Sequence, residues 1–387
     1  MKENEKILLE LVRMGWHNDA VSSLPSSISW QDVMATAEPQ GMLAIAFDGI
    51  QKIPREQMPP MELLMDWLGQ TSYYEQIYEN HRQTIASLAK FYNDNGLCMI
   101  LLKGYGLSLN YPVPNHRPVG DIDILMSNIK PNHNHSERSK RSEMLYQYAD
   151  QMIHDKLGIE VDNGHHHSVF HYQGVMVENY YDFINVHSHR SNVENELLFK
   201  KLAEEGAREH EVDGVKILLP SDILNILFVC RHNACHFASE KITLRMLLDF
   251  ALLAKSVSKA VGEFTKPFDW NRFWQLVEWM GMRDFVLVQN AICVEYFGFD
   301  KEIFHTPSRY CLWASDNKTL VERMMRDIFE PEDTGEEKKG INYLYHRSCL
   351  WWTNRWKHKM MYSDSLFSTL VDQVKSHLMK PSTIFLV

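Results

Sequence analysis

The chain has 387 residues, of which 45% are hydrophobic and 23% charged, a composition typical of a globular protein and not of a disordered or fibrous one. Its formal net charge of −10 repels nucleic acid, so nucleic-acid binding would need a local basic patch and is not favoured. Because no apolar run reaches 18 residues, no secretion signal is visible and the six cysteines form no Cys-x-x-Cys pair, we expect no membrane span and a cytoplasmic location.

The first 95 residues are predicted to be helical. Apolar residues in Glu5–Val12 recur at the spacing of one helix face. Further helices are expected over Trp30–Ala37, Met42–Ile50 and Met61–Asn93. Because nothing in this segment has the residue types of a catalytic site, we expect it to pack beside a catalytic core.

A short apolar run, Leu97–Leu102, has turn residues on both sides, which favours a buried strand over a helix. Lys103 and Gly104 follow it and lead into a short predicted helix, Tyr105–Leu109. Glycine allows close approach of a backbone, and free amides at a helix start suit an anion such as phosphate. This turn is therefore a candidate phosphate-binding element.

Two aspartates stand in the next predicted strand, Gly120–Met126 (GDIDILM). Side chains alternate along a strand, so Asp121 and Asp123 share a face, with α-carbons about 6.5–7 Å apart. Carboxylates this close repel each other, and a divalent cation removes that repulsion. Since Mg²⁺ prefers a few carboxylates together with phosphate oxygens, the pair beside a glycine turn predicts a metal–nucleotide site. The alternative is a solvated Asp-x-Asp on an edge strand.

A third carboxylate is expected in the segment Val169–Asp182, where a turn at 173–174 predicts a β-hairpin. Glu178 is the isolated acidic residue of its second strand, and burying it without a partner would be costly. It could complete a metal site or accept the proton of an attacking hydroxyl. Asp182 is the competing candidate for this role.

Histidines flank the hairpin on both sides. His165–His167 precede it, and His187 and His189 follow it together with Arg190. On a strand, His165 and His167 would share one face. A hydrolase that binds a transition metal through these histidines is a hypothesis of a different class, although a polar surface explains them equally well.

The chain becomes helical again after a charged turn region at 206–214 and a last short strand at 215–219. His232 and His236 lie four residues apart on one helix, and structural packing is favoured over metal binding for them. Arg245 and Asp249 are also four apart, which predicts an ion pair that locks the helices together. A role near a nucleotide base is the alternative for Arg245 and Asp249.

The last part of the chain begins with a charged linker at 330–339 and continues as a tail over 341–387. Within it, basic and aromatic residues alternate in Trp351–Lys359. Such a segment could hold an RNA backbone and stack on bases, or its Lys and Arg stems could cover apolar surface of the same protein. Packing is favoured.

Leu101–Gly104 (LLKG), a short helix and Arg117–Leu125 (RPVGDIDIL) together resemble the signature of the uncharacterised nucleotidyltransferases of the polymerase-β-like superfamily. Members usually have a Lys-Gly turn followed by Arg-x-x-Gly-Asp-hydrophobic-Asp. The resemblance extends over about residues 97–254. Relatives end the hairpin strand in Val-Glu-hydrophobic-His, whereas this chain has Asn179 and Tyr180 after the glutamate. Superfamily relatives also more often carry Gly-Ser at the turn.

The resemblance implies an α/β (α+β) fold with a small mixed sheet. The core would span residues 96–220, between helical segments at 1–95 and 221–330, with the linker and tail over 331–387. The activity implied is transfer of a nucleoside monophosphate from an NTP to a hydroxyl-bearing acceptor, dependent on Mg²⁺ or Mn²⁺. The acceptor stays open between a small molecule, a tRNA and a protein. The alternative is a catalytically silent module that binds a nucleotide or holds a partner.

The resemblance also implies roles for individual residues. Asp121 and Asp123 would hold the metal, and Glu178 would complete the site or act as the base. Arg117 would contact phosphate or brace the aspartate strand. In the family a histidine-bearing stretch precedes the third carboxylate, so His166 or His167 is expected to face the nucleotide. The phosphate and nucleotide contacts predicted are Lys103, Gly104, Arg117 and His167.

Overall fold

A mixed seven-stranded β-sheet forms the centre of the fold, and helices pack on both of its faces. The computed structural model of the protein describes residues 1–17, 24, 25, 27–127, 135–164, 166–186, 189–239, 241–259, 267–310, 312–330, 341–362, 364, 365 and 369. The strands are β1 (Cys98–Leu102), β2 (Ile122–Ser127), β3 (Asp162–Asn163), β4 (His167–Tyr172), β5 (Val175–Tyr180), β6 (Ala207–Val212) and β7 (Val215–Pro220).

Helices precede, interrupt and follow the sheet. They are α1 (Glu3–Trp16), α2 (Trp30–Ala37), α3 (Leu43–Ile50), α4 (Met61–Asp94), α5 (Gly104–Ser108), α6 (His135–Leu157), α7 (Ser191–Glu204), α8 (Asp222–Ser239), α9 (Leu244–Lys259), α10 (Trp270–Trp279), α11 (Arg283–Glu295), α12 (Trp313–Asp316), α13 (Lys318–Phe329), α14 (Ile341–Thr353) and α15 (Arg355–Met361). The predicted α/β class, with a mixed sheet between helical segments, is confirmed. Within the described ranges, no helix is both long and apolar enough to cross a bilayer.

The strand order is β3-β4-β5-β2-β1-β7-β6. β2 runs parallel to β5, and β1 runs parallel to β7, while the other neighbours are antiparallel. β2 and β5 therefore end at the same edge of the sheet, and β1, antiparallel to β2, reaches the point where β2 begins. This topology brings the end of β1 and the acidic parts of β2 and β5 together.

Alternation along the strands divides the apolar side chains between two cores. Met99 and Leu101 of β1 belong to a core with α4 and α6, whereas Ile100 and Leu102 belong to a core with the N-terminal and C-terminal helices. In β2, Ile124 faces the first of these cores. Because neighbouring residues of a strand point to opposite faces, Asp123 faces the second core, which includes α8.

The N-terminal helices pack against the C-terminal ones in this second core. The indole nitrogen of Trp16 in α1 donates to the Phe297 carbonyl at 2.9 Å, and Gln40 donates to the Ile328 carbonyl at 3.1 Å. Both bonds are buried and join segments almost 300 residues apart in sequence.

One segment has a different secondary structure from the one predicted. The segment 206–214, predicted to be a charged turn region, contains β6, which pairs with β7 along its length. Asp213 and Gly214 between them have φ values of 52° and 76°, and two positive φ values are what a tight hairpin turn needs. β6 is an edge strand with largely exposed side chains, so its charged composition matches that of a loop.

The aromatic and basic tail packs against the helices where the structure describes it. The rings of Trp356 and Phe237 lie 5.2 Å apart, and the Lys357 ammonium is 2.7 Å from a carboxylate oxygen of Asp327, with its side chain 2% exposed. Trp352 is mostly exposed. The favoured packing interpretation agrees with these contacts. The predicted linker at 331–339 lies outside the described residues.

Candidate active site

Strand register brings four of the predicted site residues together. Asp123 of β2 lies opposite Glu178 of the parallel strand β5, and it also lies opposite Leu102, the last residue of β1. Lys103 therefore leaves β1 directly beside Asp123, and Asp121 stands just before β2 begins.

The three carboxylates form a compact group of oxygen ligands. Asp121, Asp123 and Glu178 each offer an oxygen, and these atoms all lie within 4.8 Å of one another. Asp123 is 2% exposed, while the other two are partly exposed. In the described part of the chain, this is the one place where at least three His, Cys, Asp or Glu side chains lie close enough together to hold a metal ion. Three carboxylates without sulfur or nitrogen ligands fit a hard cation such as Mg²⁺ or Mn²⁺.

Lys103 and Tyr180 connect the carboxylates. The Lys103 ammonium lies 2.7 Å from Oδ1 of Asp123 and donates a hydrogen bond of 3.1 Å to the Tyr180 hydroxyl. That hydroxyl in turn donates to Oε2 of Glu178 at 2.9 Å. Tyr180 stands where relatives are expected to carry a histidine, and its role was not predicted from the sequence. The available signal was alternation, because residues 178 and 180 share a face of β5.

Burial and the neighbouring charges shift the pKa values of Asp123 and Tyr180. Burial raises the pKa of Asp123, the neighbouring carboxylates of Asp121 and Glu178 raise it further, and Lys103 lowers it, with the result that the pKa is about 6. Burial and then the carboxylates of Asp123, Glu178 and Asp121 raise the pKa of the Tyr180 phenol, so it remains a hydrogen-bond donor at neutral pH. One ammonium thus faces three carboxyl groups, and a divalent cation would balance the remaining negative charge.

The turn after β1 has an unusual backbone. Lys103 and Gly104 have φ values of 42° and 33°, and positive φ is uncommon for a residue with a side chain. A β-carbon at Gly104 would lie 3.6 Å from the Asp121 carbonyl oxygen, so the turn packs closely on the start of β2. Ser108, the serine of α5, is buried and hydrogen-bonded to the Tyr78 hydroxyl and the Tyr105 carbonyl. It therefore does not replace the turn serine of the superfamily relatives.

Side chains from β4 and α8 complete the surroundings. The Nε2 atom of His167 lies 3.5 Å from Oε1 of Glu178. The Lys103 ammonium lies 5.9 Å from the centre of the Phe228 ring and 5.2 Å from that of Tyr180, which is within cation–π range. Phe228 places α8 over the same face of the sheet as the carboxylates.

Arg117 forms a buried ion pair with Asp249 of α9. Its Nε and Nη2 atoms donate to the two carboxylate oxygens of Asp249 at 2.7 and 2.8 Å, and both side chains are buried. The structure thus joins Arg117 to α9, and the predicted phosphate contact and bracing of the aspartate strand stay predictions. The predicted pair of Arg245 with Asp249 is present at 3.7 Å, which is longer than the contact with Arg117.

The other candidates lie elsewhere or outside the described residues. Asp182 forms an ion pair with Lys200 of α7, so the structure groups Glu178, and not Asp182, with the aspartate pair. His189 stacks on Tyr362 of the tail, with ring centres 3.6 Å apart. Residues 165 and 187, which the hydrolase hypothesis needs, are outside the described residues.

Comparison with known proteins gives two matches. A model of the family described as "Uncharacterised nucleotidyltransferase" matches residues 26–298, more than half of the chain. Among solved structures, the chain is similar to an antigenic nucleotidyltransferase-like protein from Paracoccidioides brasiliensis at 14% identity and a TM-score of 0.32. That alignment covers 46% of this chain and 76% of the other. No curated protein matches the chain.

Proposed function

This chain belongs to the family of uncharacterised nucleotidyltransferases, as its motifs predicted, and we propose that it transfers a nucleoside monophosphate from an NTP to a hydroxyl group of an acceptor. The observation that carries the proposal is the group of Asp121, Asp123 and Glu178, whose oxygen atoms lie within 4.8 Å of one another at the end of β1. Relatives in this family are expected to place their metal on such residues.

The metal in this proposal is Mg²⁺ or Mn²⁺, held by Asp121, Asp123 and Glu178. When bound, it would polarise the α-phosphoryl group and neutralise charge on the departing pyrophosphate. The carboxylates supply hard oxygen ligands, and the buried Asp123 is fixed in place by β2 and by the Lys103 ammonium at 2.7 Å.

Residues of the chain itself would orient the reacting groups. Tyr180 donates to Oε2 of Glu178 and so orients that carboxylate, whose other oxygen, Oε1, lies 3.5 Å from Nε2 of His167. Glu178 would accept the proton of the acceptor hydroxyl, or serve as the third metal ligand. Lys103 and the Gly104 amide, at the close turn after β1, would contact phosphate, and His167 would face the nucleotide.

The alternative function, a silent nucleotide-binding module, is favoured by one contact. The Lys103 ammonium lies 2.7 Å from Oδ1 of Asp123, so the buried carboxylate of the group has a cationic partner without a metal. A module of this kind would bind the nucleotide through Lys103 and through arginine or histidine side chains of the helices. Its nucleotide binding would persist after mutation of Asp121 and Asp123.

Calorimetry with the four NTPs, with and without Mg²⁺, tests the proposal. We compare wild type with Asp121→Ala/Asp123→Ala, and use Asp155→Ala/Glu160→Ala, which removes two exposed carboxylates, as the matched control. The proposal predicts Mg²⁺-dependent NTP binding by wild type and the control, and its loss in the first variant. Equal binding by all three would favour the silent module, as would wild-type binding without slow hydrolysis of the NTP to nucleoside monophosphate and pyrophosphate.

A further inference from the structure

Asp121 differs from the other two carboxylates of the group because it stands outside the strands. β2 begins at Ile122, which pairs with β5, and the pairing of β2 with β1 ends at Asp123. The sheet therefore fixes Asp123 and Glu178 through paired positions, whereas Asp121 precedes them. If all three carboxylates are to bind one ion, groups outside the sheet must hold the backbone at Asp121 in place.

Two side chains bond to the backbone just before β2. Nη1 of Arg117 donates to the Pro118 carbonyl at 2.8 Å, and Nε2 of His81 lies 2.8 Å from the Gly120 carbonyl oxygen. The Gly120 carbonyl belongs to the planar peptide unit that ends at the α-carbon of Asp121. The bond from His81 therefore fixes the point from which the Asp121 side chain extends.

His81 is itself held firmly on α4. Its side chain is buried, and its Nδ1 atom lies 2.8 Å from the Ile77 carbonyl oxygen, one helical turn earlier. Because a carbonyl oxygen only accepts hydrogen bonds, the ring nitrogen is the donor in each of these contacts. The contact with Ile77 orients the ring and directs Nε2 toward Gly120.

The same helix also contacts the segment that follows the turn at Lys103. Tyr78, three residues before His81, stacks on Tyr105 of α5 with ring centres 5.4 Å apart, and its hydroxyl lies 3.0 Å from that of Ser108. α4 belongs to the N-terminal segment that we expected to pack beside a catalytic core. It therefore contacts both chain segments that lead into the site, α5 and the approach to β2.

We propose that His81 is a positioning residue of the metal site, which holds Asp121 in its ligand position through the Gly120 carbonyl. This inference rests on the proposed function, because it takes the carboxylates to be metal ligands. Loss of the His81 bond would release one ligand of three, since Asp123 and Glu178 stay fixed by their strands. Metal affinity would then fall while the fold is retained.

Two amide variants separate the two bonds of His81. In His81→Gln the amide nitrogen takes the place of Nε2 and keeps the bond to Gly120. In His81→Asn it takes the place of Nδ1 and keeps only the bond to Ile77. Mn²⁺ affinity, measured from the free-ion signal in electron paramagnetic resonance, should fall by about 10-fold in His81→Asn, as expected for a group that orients a metal ligand. His81→Gln should bind Mn²⁺ as wild type does.

Asn93→Ala is the matched control, because it also removes a bond from a side chain of α4 to a backbone carbonyl. Asn93 donates to the Lys216 carbonyl of β7 at 2.8 Å. Ile100 lies opposite Leu218 in the parallel pair of β1 and β7, so Lys216 is level with the start of β1 and away from the carboxylates. Melting curves measure the stability of each variant, and the Mn²⁺ affinity of Asn93→Ala should equal that of wild type.

Three results would overturn the inference: wild-type affinity in His81→Asn, an equal loss in His81→Gln, or an equal loss in Asn93→Ala. If His81→Asn does not fold, nitrogen NMR of the histidine-labelled wild type decides. Mg²⁺ should shift the Nε2 resonance of His81, assigned by its absence in His81→Gln, because the ion acts on the peptide unit to which the ring bonds. An unchanged resonance would overturn the inference.

Failure of this inference can be told apart from failure of the proposed function. Absence of Mn²⁺ binding by wild type would refute the proposed metal site, and this inference with it. Mn²⁺ binding by wild type that is lost in Asp121→Ala/Asp123→Ala but unchanged in His81→Asn would refute this inference alone.

Discussion

The buried ion pair between Arg117 and Asp249 allows a quantitative prediction about how the site is held. The two side chains are 3% and 4% exposed and share two hydrogen bonds of 2.7 and 2.8 Å. Asp249→Asn keeps the shape of the side chain but removes its charge. It also turns one acceptor into a donor facing Nη2 of Arg117, and it leaves both Arg117 and Arg245 without their carboxylate.

Removing one partner of a buried ion pair costs about 3–5 kcal/mol, because the other charge stays buried and unpaired. We expect Asp249→Asn to lower the free energy of unfolding by that amount. Arg117→Met should cost less, because Arg245, at 3.7 Å, can approach the carboxylate that Arg117 leaves. The order of the two variants is therefore part of the prediction.

Urea denaturation followed by tryptophan fluorescence measures both effects. Arg272→Met breaks an exposed pair with Glu205 and should cost about 0–1 kcal/mol, which sets the scale for a surface ion pair. A loss below about 1 kcal/mol for Asp249→Asn would refute the reasoning, since a buried pair could not then be worth more than a surface one. A larger cost for Arg117→Met than for Asp249→Asn would refute the substitute role of Arg245.

Three further predictions concern the site and its surroundings. Tyr180→Phe removes the hydroxyl that bonds the third carboxylate, and should lower the free energy of unfolding by roughly 1–3 kcal/mol in urea denaturation. Asp123 has a raised pKa of about 6, so its protonated form stabilises the metal-free fold. This stabilisation is complete below about pH 3.8 and is lost as the pH rises through 6. Protons should therefore compete with Mn²⁺ below about pH 6, and the melting-temperature gain from Mn²⁺ should grow between about pH 5 and 7 and vanish in Asp123→Asn. Burial lowers the pKa of His116, but its bonds to Asp48 and Glu75 outweigh this and raise it. Its stabilisation is complete below about pH 6.5 and lost as the pH rises through the folded pKa, so melting curves of wild type and His116→Gln should converge at alkaline pH.

Local patterns were sufficient for most of the fold and for part of the site. The apolar run before Lys103 formed β1, and the turn at 173–174 separated β4 from β5. Strand alternation alone put Asp121 and Asp123 on one face, and the structure groups them with Glu178. These inferences succeed because they depend on the period of a strand and on turn residues, which are readable over a few positions.

Contacts between segments that are distant in the chain could not be predicted from such local patterns. Arg117 and Asp249 are 132 residues apart, and nothing local indicates that they pair. The predicted i,i+4 pair of Arg245 and Asp249 exists, but the tertiary partner takes the shorter contacts. β6 was missed for a different reason: an exposed edge strand needs no apolar face, so its composition does not differ from that of a loop.

The central claim is that Asp121, Asp123 and Glu178 hold a divalent metal, and a Mn²⁺ titration followed by electron paramagnetic resonance tests it most directly. Wild type should bind Mn²⁺ and remove the free-ion signal, more tightly when NTP is present. Asp123→Asn and Glu178→Gln should lose this binding, while Asp182→Asn, whose carboxylate pairs with Lys200 instead, should bind as wild type does. Equal Mn²⁺ binding by wild type, Asp123→Asn and Glu178→Gln would contradict the claim.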